Sequence, residues 1–521
     1  MTHPNTLAAM IEAQGVEHVA LAAATGQAVS YPSPLTFRGL TNQIQDTMAQ
    51  LNGWGIGRGD RVAIVLPNCP EMATAFVAIG SACTAAPLNM AYTDKDFSFY
   101  MEDIGANAVV VAEHDANAVA AEVARRLGIP VLSLRPLPDK GCGRFTLLGD
   151  MAHKVPANPG AAQPQDIALI LHTSGTTSRP KIVPLLHSNV TASAYNIRQS
   201  LALTPADVGL HVMPMFHIHG LIAALLGPWA AGSQVFVTPG FNALKFFGWM
   251  AQSRATWYTA VPTMHQALLV RADKGDNPAI IKANRLRFLR SSSSSIPTQV
   301  IAELERVFEA PLIEAYGMTE AAHQMASNPL PPKARRPGSV GLAAGPEIAI
   351  MDEEGALLPA DVIGEVVIRG ANVTPGYENN PDANAKAFTQ GWFRTGDQGS
   401  LSADGYLTLT GRLKEIINRG GEKISPLKID EMLMDHPAVQ QVVAFAMPHQ
   451  MLGEAVAAVI VLREGHSATE AELKAYALSK LSKFEVPERI IFMDEIPKGA
   501  TGKLQRIGLW DKLVSAGVTQ A

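Results

Sequence analysis

Short apolar runs alternate with helical patterns from the start of the chain to about residue 411. The runs with the composition of strands cover residues 61–66, 108–112, 131–134, 235–237 and 286–289. Strands that alternate with helices at this pace predict β-α-β units and mainly parallel sheets. Between residues 347 and 369 the pattern changes to strand, turn and strand, which predicts a smaller antiparallel, barrel-like sheet on the main body.

A second set of elements follows near the end of the chain. Apolar runs at residues 442–446 and 455–462 predict two strands. A helix is predicted at residues 470–481, where Thr469 is the N-cap and Glu472 completes a capping box. These elements are sufficient for a small domain of their own.

We therefore predict an α/β protein with two domains. Residues 1–411 form a large domain of mainly parallel sheets with helices, together with the small antiparallel sheet. Residues 412–521 form a small α+β domain that is mobile on a short polar hinge. The length of 521 residues agrees with two or three domains.

Composition and charge exclude several classes of protein. With 47% hydrophobic and 17% charged residues, the chain is predicted to be folded and soluble. Its net charge of −5 argues against nucleic acid as a partner, and no segment has the pattern of a membrane span. The three cysteines fit neither a disulfide framework nor a zinc site. The N-terminus lacks the pattern of a signal peptide, so we expect a cytoplasmic protein, either a monomer or a homodimer.

The most informative segment is a polar loop that follows the apolar run 167–171 and ends in a lysine. It contains Thr173, Ser174, Gly175, Thr176, Thr177, Ser178 and Lys181. Backbone N–H groups around Gly175 can approach oxygen atoms closely, the hydroxyls can donate to them, and Lys181 adds a positive charge. The loop therefore predicts a triphosphate site, with a plain hydroxyl-rich turn as the alternative. It is not a Walker A motif, because Pro180 and not glycine precedes Lys181.

Two further segments contain residues suited to nucleotide chemistry. In residues 314–320, Tyr316 offers a flat face for a base, Gly317 allows close approach, and Glu320 is a hard oxygen ligand for Mg²⁺. Asp397 follows a tight turn, where its carboxylate can accept hydrogen bonds from ribose hydroxyls. Either segment alone is also compatible with an ordinary turn.

A histidine segment and a lysine loop complete the set of polar segments. His217 and His219 are predicted on one side of an extended segment, where they contact substrate, lie in the core, or bind zinc. The zinc alternative is weak, since no third ligand is evident nearby. Near the end of the chain, a glycine-bearing loop presents Lys498 and Lys503.

In order along the chain, these segments resemble the acyl-adenylate-forming superfamily, which includes the acyl-CoA synthetases, luciferases and adenylation domains. The motifs are T-S-G-T-T-S-R-P-K, F-H-I-H-G, Y-G-M-T-E, T-G-D, G-R-L-K-E-I-I-N-R-G-G-E-K-I-S-P and P-K-G-A-T-G-K. The resemblance implies a two-step reaction that uses ATP, Mg²⁺ and coenzyme A. A carboxylate attacks the α-phosphorus of ATP and releases pyrophosphate, and the CoA thiolate then displaces AMP from the acyl-adenylate.

The resemblance also implies a role for each motif. The residues that would hold ATP or AMP are Thr173, Ser174, Gly175, Thr176, Thr177, Ser178, Lys181, Ser293, Ser294, Glu314, Ala315, Tyr316, Thr319, Asp397 and Arg412. Glu320 would bind Mg²⁺, and Lys503 would act in the first step, with Thr319, Glu320 and His217 as further catalytic residues. Lys414 lies where the family hinges, and Gly420 and Gly421 would line the CoA tunnel.

Within the superfamily, residues 256–263, 286–291 and 319–331 are most similar to the ligases that act on oxalate. A second carboxylate on the substrate requires donors and cations, and the candidates are His217, Ser293 and His323. Such a pocket should reject acetate, because buried polar groups would be left unpaired. Arg290 either joins these residues or pairs with an acidic residue at a strand end.

Two departures from the family pattern leave alternatives open. Ser178 and Ile182 stand where the family usually has glycine, and a positive φ at either position would strain the loop, more so at the β-branched Ile182. The alternatives to an oxalate ligase are a ligase for another short acid such as malonate, an adenylation enzyme that charges a carrier protein, and a nucleotide-binding protein without catalysis.

Overall fold

The computed structural model describes residues 3–26, 29–113, 118–173, 180–497 and 504–518. Within these ranges the chain has the predicted α/β architecture, with large mixed sheets, surrounding helices, a small antiparallel sheet and a separate sheet near the C-terminus. The core lies mainly between the large sheets and their helices. The helix Pro70–Ala82 is buried along its whole length, including Glu71 in its first turn, and is followed by the strand Thr84–Pro87.

The first large sheet contains the strand that precedes the polar loop. From one edge to the other, its strands are Phe145–Leu148, Val131–Pro136, Ala108–Ala112, Arg61–Val65, Thr84–Pro87, Ile167–Thr173 and Lys181–Leu186. The interior pairs are parallel, and the two edge pairs are antiparallel. Thr173 and Lys181, which flank the polar loop, lie opposite each other in the last pair.

The second large sheet contains most of the other motifs. In spatial order its strands are Leu342–Ala343, His323–Ser327, Leu312–Met318, Phe288–Ser291, Trp257–Ala260, Val208–His211, Gln234–Val237, Val19–Ala23 and Leu35–Thr36. The strands from Leu312–Met318 to Val19–Ala23 run parallel, and the edge strands are antiparallel. The carboxyl ends of these parallel strands meet at one edge of the sheet, which is where open α/β sheets bind ligands.

The small sheet is antiparallel, as predicted, and consists of Glu347–Met351, Gly364–Arg369, Trp392–Leu401, Phe388–Thr389 and Leu407–Arg412. The C-terminal sheet consists of Glu422–Ile424, Ile417–Arg419, Gly453–Leu462, Val439–His449 and Arg489–Phe492. All strands of the C-terminal sheet come after the predicted boundary at residue 411. The boundary itself stays a prediction.

Helices cover the faces of these sheets. The α-helices are Leu7–Glu12, Phe37–Gly53, Pro70–Ala82, Asp94–Asp103, Ala118–Arg126, His187–Ser200, Gly227–Ala230, Phe246–Ser253, Pro262–Ala272, Asn277–Ala283, Thr298–Phe308, Pro381–Ala387, Pro426–Met434, Glu470–Leu478 and Leu509–Ser515. A π-helix spans His219–Leu226, and 3₁₀ turns span Pro138–Lys140 and Thr319–Ala321. The capping box of Thr469 and Glu472 is present as predicted. Among the described residues, no helix combines the length and the apolar character needed to span a membrane.

The structure corrects three local predictions. The strand predicted at residues 286–289 is Phe288–Ser291, because pairing with Trp257–Ala260 sets its register and draws polar residues into it. The histidine segment is not extended, since it turns at residues 215–217 and enters the π-helix. Ile182 is a buried residue of an antiparallel strand, opposite His172, and its φ is not positive, so the condition for strain is not met there. Ser178 lies outside the described residues.

Candidate active site

A buried polar cluster surrounds Arg290 on the second large sheet. Its guanidinium donates from Nη1 to Thr259 Oγ1 at 3.2 Å and to His219 Nε2 at 3.4 Å. From Nη2 it donates to His323 Nε2 at 3.1 Å and to Gln324 Oε1 at 3.3 Å. Arg290 is 0% exposed, and none of these four partners is a carboxylate. Four polar side chains thus surround one buried guanidinium.

The positive charge of Arg290 has no counter-ion among the described residues. No carboxylate in these ranges lies within ion-pair distance of its guanidinium. The alternative prediction, that Arg290 pairs with an acidic residue at a strand end, is therefore wrong. The Nε atom of Arg290 is buried without a hydrogen-bond partner among these residues. Burial lowers the pKa of Arg290 to about 9, which still leaves the side chain charged at neutral pH. A buried cation in this state favours an anion from outside the chain.

The hydrogen bonds from Arg290 assign the tautomers of two histidines. A guanidinium only donates, so Nε2 of His219 and Nε2 of His323 must accept, and each neutral ring is protonated on Nδ1. The Nδ1–H of His219 then donates to Ser293 Oγ at 3.0 Å, and the hydroxyl of Thr259 donates to His219 Nε2 at 2.7 Å. The rings of His219 and His323 are stacked with centroids 4.9 Å apart. The cluster therefore holds two neutral, oriented imidazoles.

The backbone at this cluster is unusual. Ser293, Ala322 and His323 have positive φ values of 79°, 45° and 89°. Residues other than glycine rarely adopt this region, and such strain concentrates at functional sites. The backbone of His323 approaches Gly317 closely. A Cβ on residue 317 would lie 1.8 Å from the His323 carbonyl oxygen, so this position requires glycine.

Tyr316, Asp397 and Arg412 form a second polar group. The Tyr316 hydroxyl donates to Asp397 Oδ2 at 2.5 Å, and Arg412 Nε lies 3.2 Å from Asp397 Oδ1. Burial beside this carboxylate raises the pKa of Tyr316, so its hydroxyl is protonated and donates. The charge of Asp397 raises the pKa of Arg412, whose side chain is 54% exposed. The group thus brings the Y-G-M-T-E, T-G-D and G-R-L-K motifs together.

Glu314 lies on the strand that leads to Tyr316. Its carboxylate accepts from the backbone N–H of Gly338 at 3.2 Å and from Asn328 Nδ2 at 3.5 Å. Burial raises the pKa of Glu314 to about 8. The carbonyl of the next residue, Ala315, accepts from Ser292 Oγ at 2.9 Å, which ties this strand to the serine run.

Glu320 and Lys181 meet at Tyr377. The Tyr377 hydroxyl donates to Glu320 Oε1 at 2.8 Å, and Lys181 Nζ lies 3.7 Å from the centroid of the Tyr377 ring. Burial lowers the pKa of Lys181, the charge of Glu320 opposes this effect, and the charge of Lys414 adds to it. Lys414 is therefore near the loop lysine. The hydroxyl of Thr173 is buried and has no partner among the described residues.

The structure places the other predicted site residues less centrally. Thr319 begins the 3₁₀ turn that contains Glu320. Ser294 is exposed, and Gly420 and Gly421 are exposed with positive φ. His217 is half-buried with its ring packed against Phe216, at a centroid distance of 4.5 Å. Residues 174–178 of the polar loop and Lys503 lie outside the described residues.

The residues fit a magnesium ion held mainly by phosphates. In the described ranges no three His, Cys, Asp or Glu side chains come together in an arrangement that could hold a metal alone. Mg²⁺ needs only one or two carboxylates when substrate phosphates and water complete its shell. Glu320 has a single oxygen engaged by Tyr377, so its other oxygen is suited to that role.

Three residues of this arrangement are not among the predicted site residues. Thr259 and Gln324 lie in segments that the resemblance singles out without assigning these side chains a role, and Tyr377 lies in a segment that no local pattern identifies. His219 was recognised as part of a pair, but His217 was chosen as the site residue. The outcome depends on the turn before the π-helix, which directs His219 into the Arg290 cluster.

Comparison with known proteins shows the family of this chain. The AMP-binding enzyme family matches residues 11–378, and the AMP-binding enzyme C-terminal domain matches residues 428–503. The chain is 45% identical to an oxalate–CoA ligase of Arabidopsis thaliana over 87% of this chain and 88% of that protein. It is 41% identical to an oxalate–CoA ligase of Saccharomyces cerevisiae over 86% of both chains.

A solved structure has the same fold over nearly the whole chain. ATP-bound MatB from Rhodopseudomonas palustris superimposes with a TM-score of 0.85 at 28% identity, covering 98% of this chain and 99% of that one. The predicted α/β fold is therefore confirmed, as are the resemblance to the acyl-adenylate-forming superfamily and the prediction of an acid–thiol ligase. This chain belongs to the AMP-binding enzyme family.

Proposed function

We propose that this chain is an ATP- and CoA-dependent ligase that converts oxalate to oxalyl-CoA through an oxalyl-adenylate. The observation that carries the proposal is Arg290, a fully buried cation with no counter-ion among the described residues. A second carboxylate on the substrate supplies the missing negative charge. The names of the relatives at 45% and 41% identity support the same substrate.

The size of this effect is sufficient to determine specificity. Two opposite charges about 6 Å apart interact by about 3 kcal/mol at an effective dielectric constant of about 20, which is a factor of roughly 100 in affinity. His323, protonated on Nδ1, and Ser293 are the proposed hydrogen-bond donors to the distal carboxylate. His219 replaces His217 as the proposed neighbour of the acyl group, because it contacts both Ser293 and Arg290.

In the first step, one carboxylate oxygen of oxalate attacks the α-phosphorus of ATP, and the bond to the β-phosphate breaks. The polar loop from Thr173 to Lys181 holds the β- and γ-phosphates, and Thr319 contacts the α-phosphate. Mg²⁺ bound at Glu320 would neutralise phosphate charge. Lys503 bridges the carboxylate and the phosphate as negative charge develops between them.

The remaining motif residues hold the nucleoside. Tyr316 stacks on the adenine, which is lined by Ser293, Ser294, Glu314 and Ala315. Asp397 accepts hydrogen bonds from the ribose hydroxyls, with Arg412 holding its carboxylate in place. The hydrogen bond from Tyr316 and the ion pair with Arg412 support this role, since both fix the orientation of Asp397.

In the second step, the CoA thiolate attacks the acyl carbon, the bond to AMP breaks, and AMP leaves. We place the pantetheine path beside Gly420 and Gly421. We place at Lys414 the hinge about which the C-terminal domain rotates between the first and the second step. The exposed, positive-φ turn at Gly420 and Gly421 is suited to a segment that moves.

The test is pyrophosphate release with ATP, Mg²⁺ and CoA over a panel of oxalate, malonate, acetate and octanoate. Because oxalate and malonate chelate Mg²⁺, the free Mg²⁺ concentration is held constant across the panel. We expect oxalate to exceed acetate by at least the factor of roughly 100 that the buried charge supplies, with oxalyl-CoA formed in step. Equal turnover of acetate and oxalate would refute the assignment of the pocket.

A further inference from the structure

Tyr377 stands between two charged residues of the site. Its hydroxyl donates to Glu320 Oε1, and the ammonium of Lys181 lies over its ring face, 3.7 Å from the ring centroid. Tyr377 is only 6% exposed, so both contacts are shielded from water. Burial beside Glu320 raises the pKa of Tyr377, which keeps the hydroxyl protonated as a donor.

The backbone of Tyr377 is held from both sides. Its N–H donates to Asn384 Oδ1 at 2.7 Å, and Asn384 Nδ2 donates back to the Tyr377 carbonyl at 2.8 Å. The next residue, Glu378, donates its N–H to the Ile182 carbonyl at 3.1 Å and pairs with Arg61 at 2.6 Å. The tyrosine is therefore fixed relative to the strand that follows the polar loop.

Without Tyr377, Glu320 and Lys181 would be free to form a direct ion pair. Both groups contact the side chain of the same tyrosine, Glu320 at its hydroxyl and Lys181 at its ring face, so they lie close to each other. A direct pair would occupy the carboxylate needed for the metal and the ammonium needed for phosphate. In the described part of the chain, Oε2 of Glu320 accepts no hydrogen bond, so Tyr377 engages one oxygen and leaves the other.

We propose that Tyr377 is a positioning residue that keeps Glu320 and Lys181 apart and oriented, one toward Mg²⁺ and the other toward the phosphates. This inference rests on the proposed function. The cation–π contact is weak enough for Lys181 to move onto a phosphate. The hydroxyl of Tyr377 donates a hydrogen bond to a charged carboxylate, which is a stronger contact.

The test is calorimetric binding of a non-hydrolysable ATP analogue, with and without Mg²⁺, to the full-length protein. In Tyr377→Phe, which keeps the ring, we expect the affinity with Mg²⁺ to fall about 10–100-fold and the affinity without Mg²⁺ to stay unchanged. In Tyr377→Leu, which also loses the ring face, we expect the affinity to fall under both conditions. In a Glu320→Gln background, Tyr377→Phe should no longer change the response to Mg²⁺.

Tyr406 provides a matched control. It is also a buried tyrosine, with Arg336 on its ring face at 3.9 Å and a hydroxyl that donates to the Ala334 carbonyl at 2.6 Å. Tyr406→Phe should leave binding unchanged under both conditions. If Tyr377→Phe loses affinity equally with and without Mg²⁺, or loses none, Tyr377 is not a positioning residue for the metal ligand.

The binding experiment separates this inference from the proposed function. It uses neither oxalate nor CoA, so a different acid substrate would leave its result intact. A wild-type protein that does not bind the analogue would overturn the proposed function and this inference together. Normal wild-type binding with an unaffected Tyr377→Phe variant would overturn the role of Tyr377 alone.

Discussion

Replacing Arg290 by methionine separates the contribution of this side chain to substrate binding from its contribution to stability. Methionine has a similar length and no charge, so it removes the cation without leaving a large cavity. We expect Arg290→Met to raise the KM for oxalate by roughly 100-fold, which corresponds to the loss of about 3 kcal/mol of charge–charge interaction. Binding of ATP should be unchanged, because none of the described contacts of Arg290 involves a residue of the nucleotide motifs.

The same substitution has opposing effects on the free energy of unfolding. Burial lowers the pKa of Arg290 from 12.5 to about 9, which corresponds to roughly 5 kcal/mol of unfavourable free energy for the charged side chain. Its removal also leaves His323 Nε2 and Gln324 Oε1 without their donor, at about 1–3 kcal/mol each. These terms largely offset each other, so the free energy of unfolding should change by no more than about 3 kcal/mol in either direction.

The assay combines initial rates of pyrophosphate release, measured over an oxalate titration at saturating ATP, with urea unfolding of the same protein. Arg285→Gln is the matched control, because Arg285 is close in sequence but is an exposed residue paired with Glu309 at 3.0 Å. An unchanged KM for oxalate would refute the role of the buried charge. A loss of more than about 4 kcal/mol of stability would show that Arg290 is instead a structural residue.

Three further substitutions test other parts of the site. Lys503→Ala should lower the rate of adenylation by about 10²–10³-fold, while supplied acyl-adenylate still reacts with CoA, as single-turnover assays of each half-reaction would reveal. His323→Ala should raise the KM for oxalate at least 10-fold with little change in ATP binding, because it removes a neutral donor beside Arg290; equal effects on both substrates would contradict this. Glu314→Gln should remove a pH dependence of stability. Burial raises the pKa of Glu314 from 4.5 to about 8, so at pH 6 this side chain is protonated in the native state and ionised in the unfolded state. The wild type should therefore lose about 3 kcal/mol of unfolding free energy between pH 6 and pH 9, as the native side chain loses this proton. Urea unfolding at both pH values measures this loss, and equal slopes for wild type and variant would refute it.

The sequence pattern was a good guide to elements that form by local rules. The strand Ala108–Ala112 has the predicted bounds, and the capping box at Thr469 is present. Both depend on periodicity or on residues three positions apart, which a sequence displays directly. The strand Phe288–Ser291 was misplaced because a buried arginine and a buried serine interrupt the apolar pattern that identifies strands.

The contacts within the site were harder to predict because they join distant parts of the chain. Tyr377 is 57 residues from Glu320, and Tyr316 is 81 residues from Asp397. Motifs point to candidate substrate-binding residues, but not to the side chains that hold those residues in position. The choice between His217 and His219 likewise depends on a turn whose geometry is set by packing against Pro214, where a Cβ on Gly220 would lie 2.1 Å from the carbonyl oxygen.

The Arg290 cluster suggests how such a site distinguishes acids that differ by one carboxylate. Acetate is smaller than oxalate, so a pocket that admits oxalate cannot exclude acetate by size. Bound acetate would, however, leave the buried charge of Arg290 without a counter-ion. Discrimination then comes from the unfavourable state of the protein when the second carboxylate is missing.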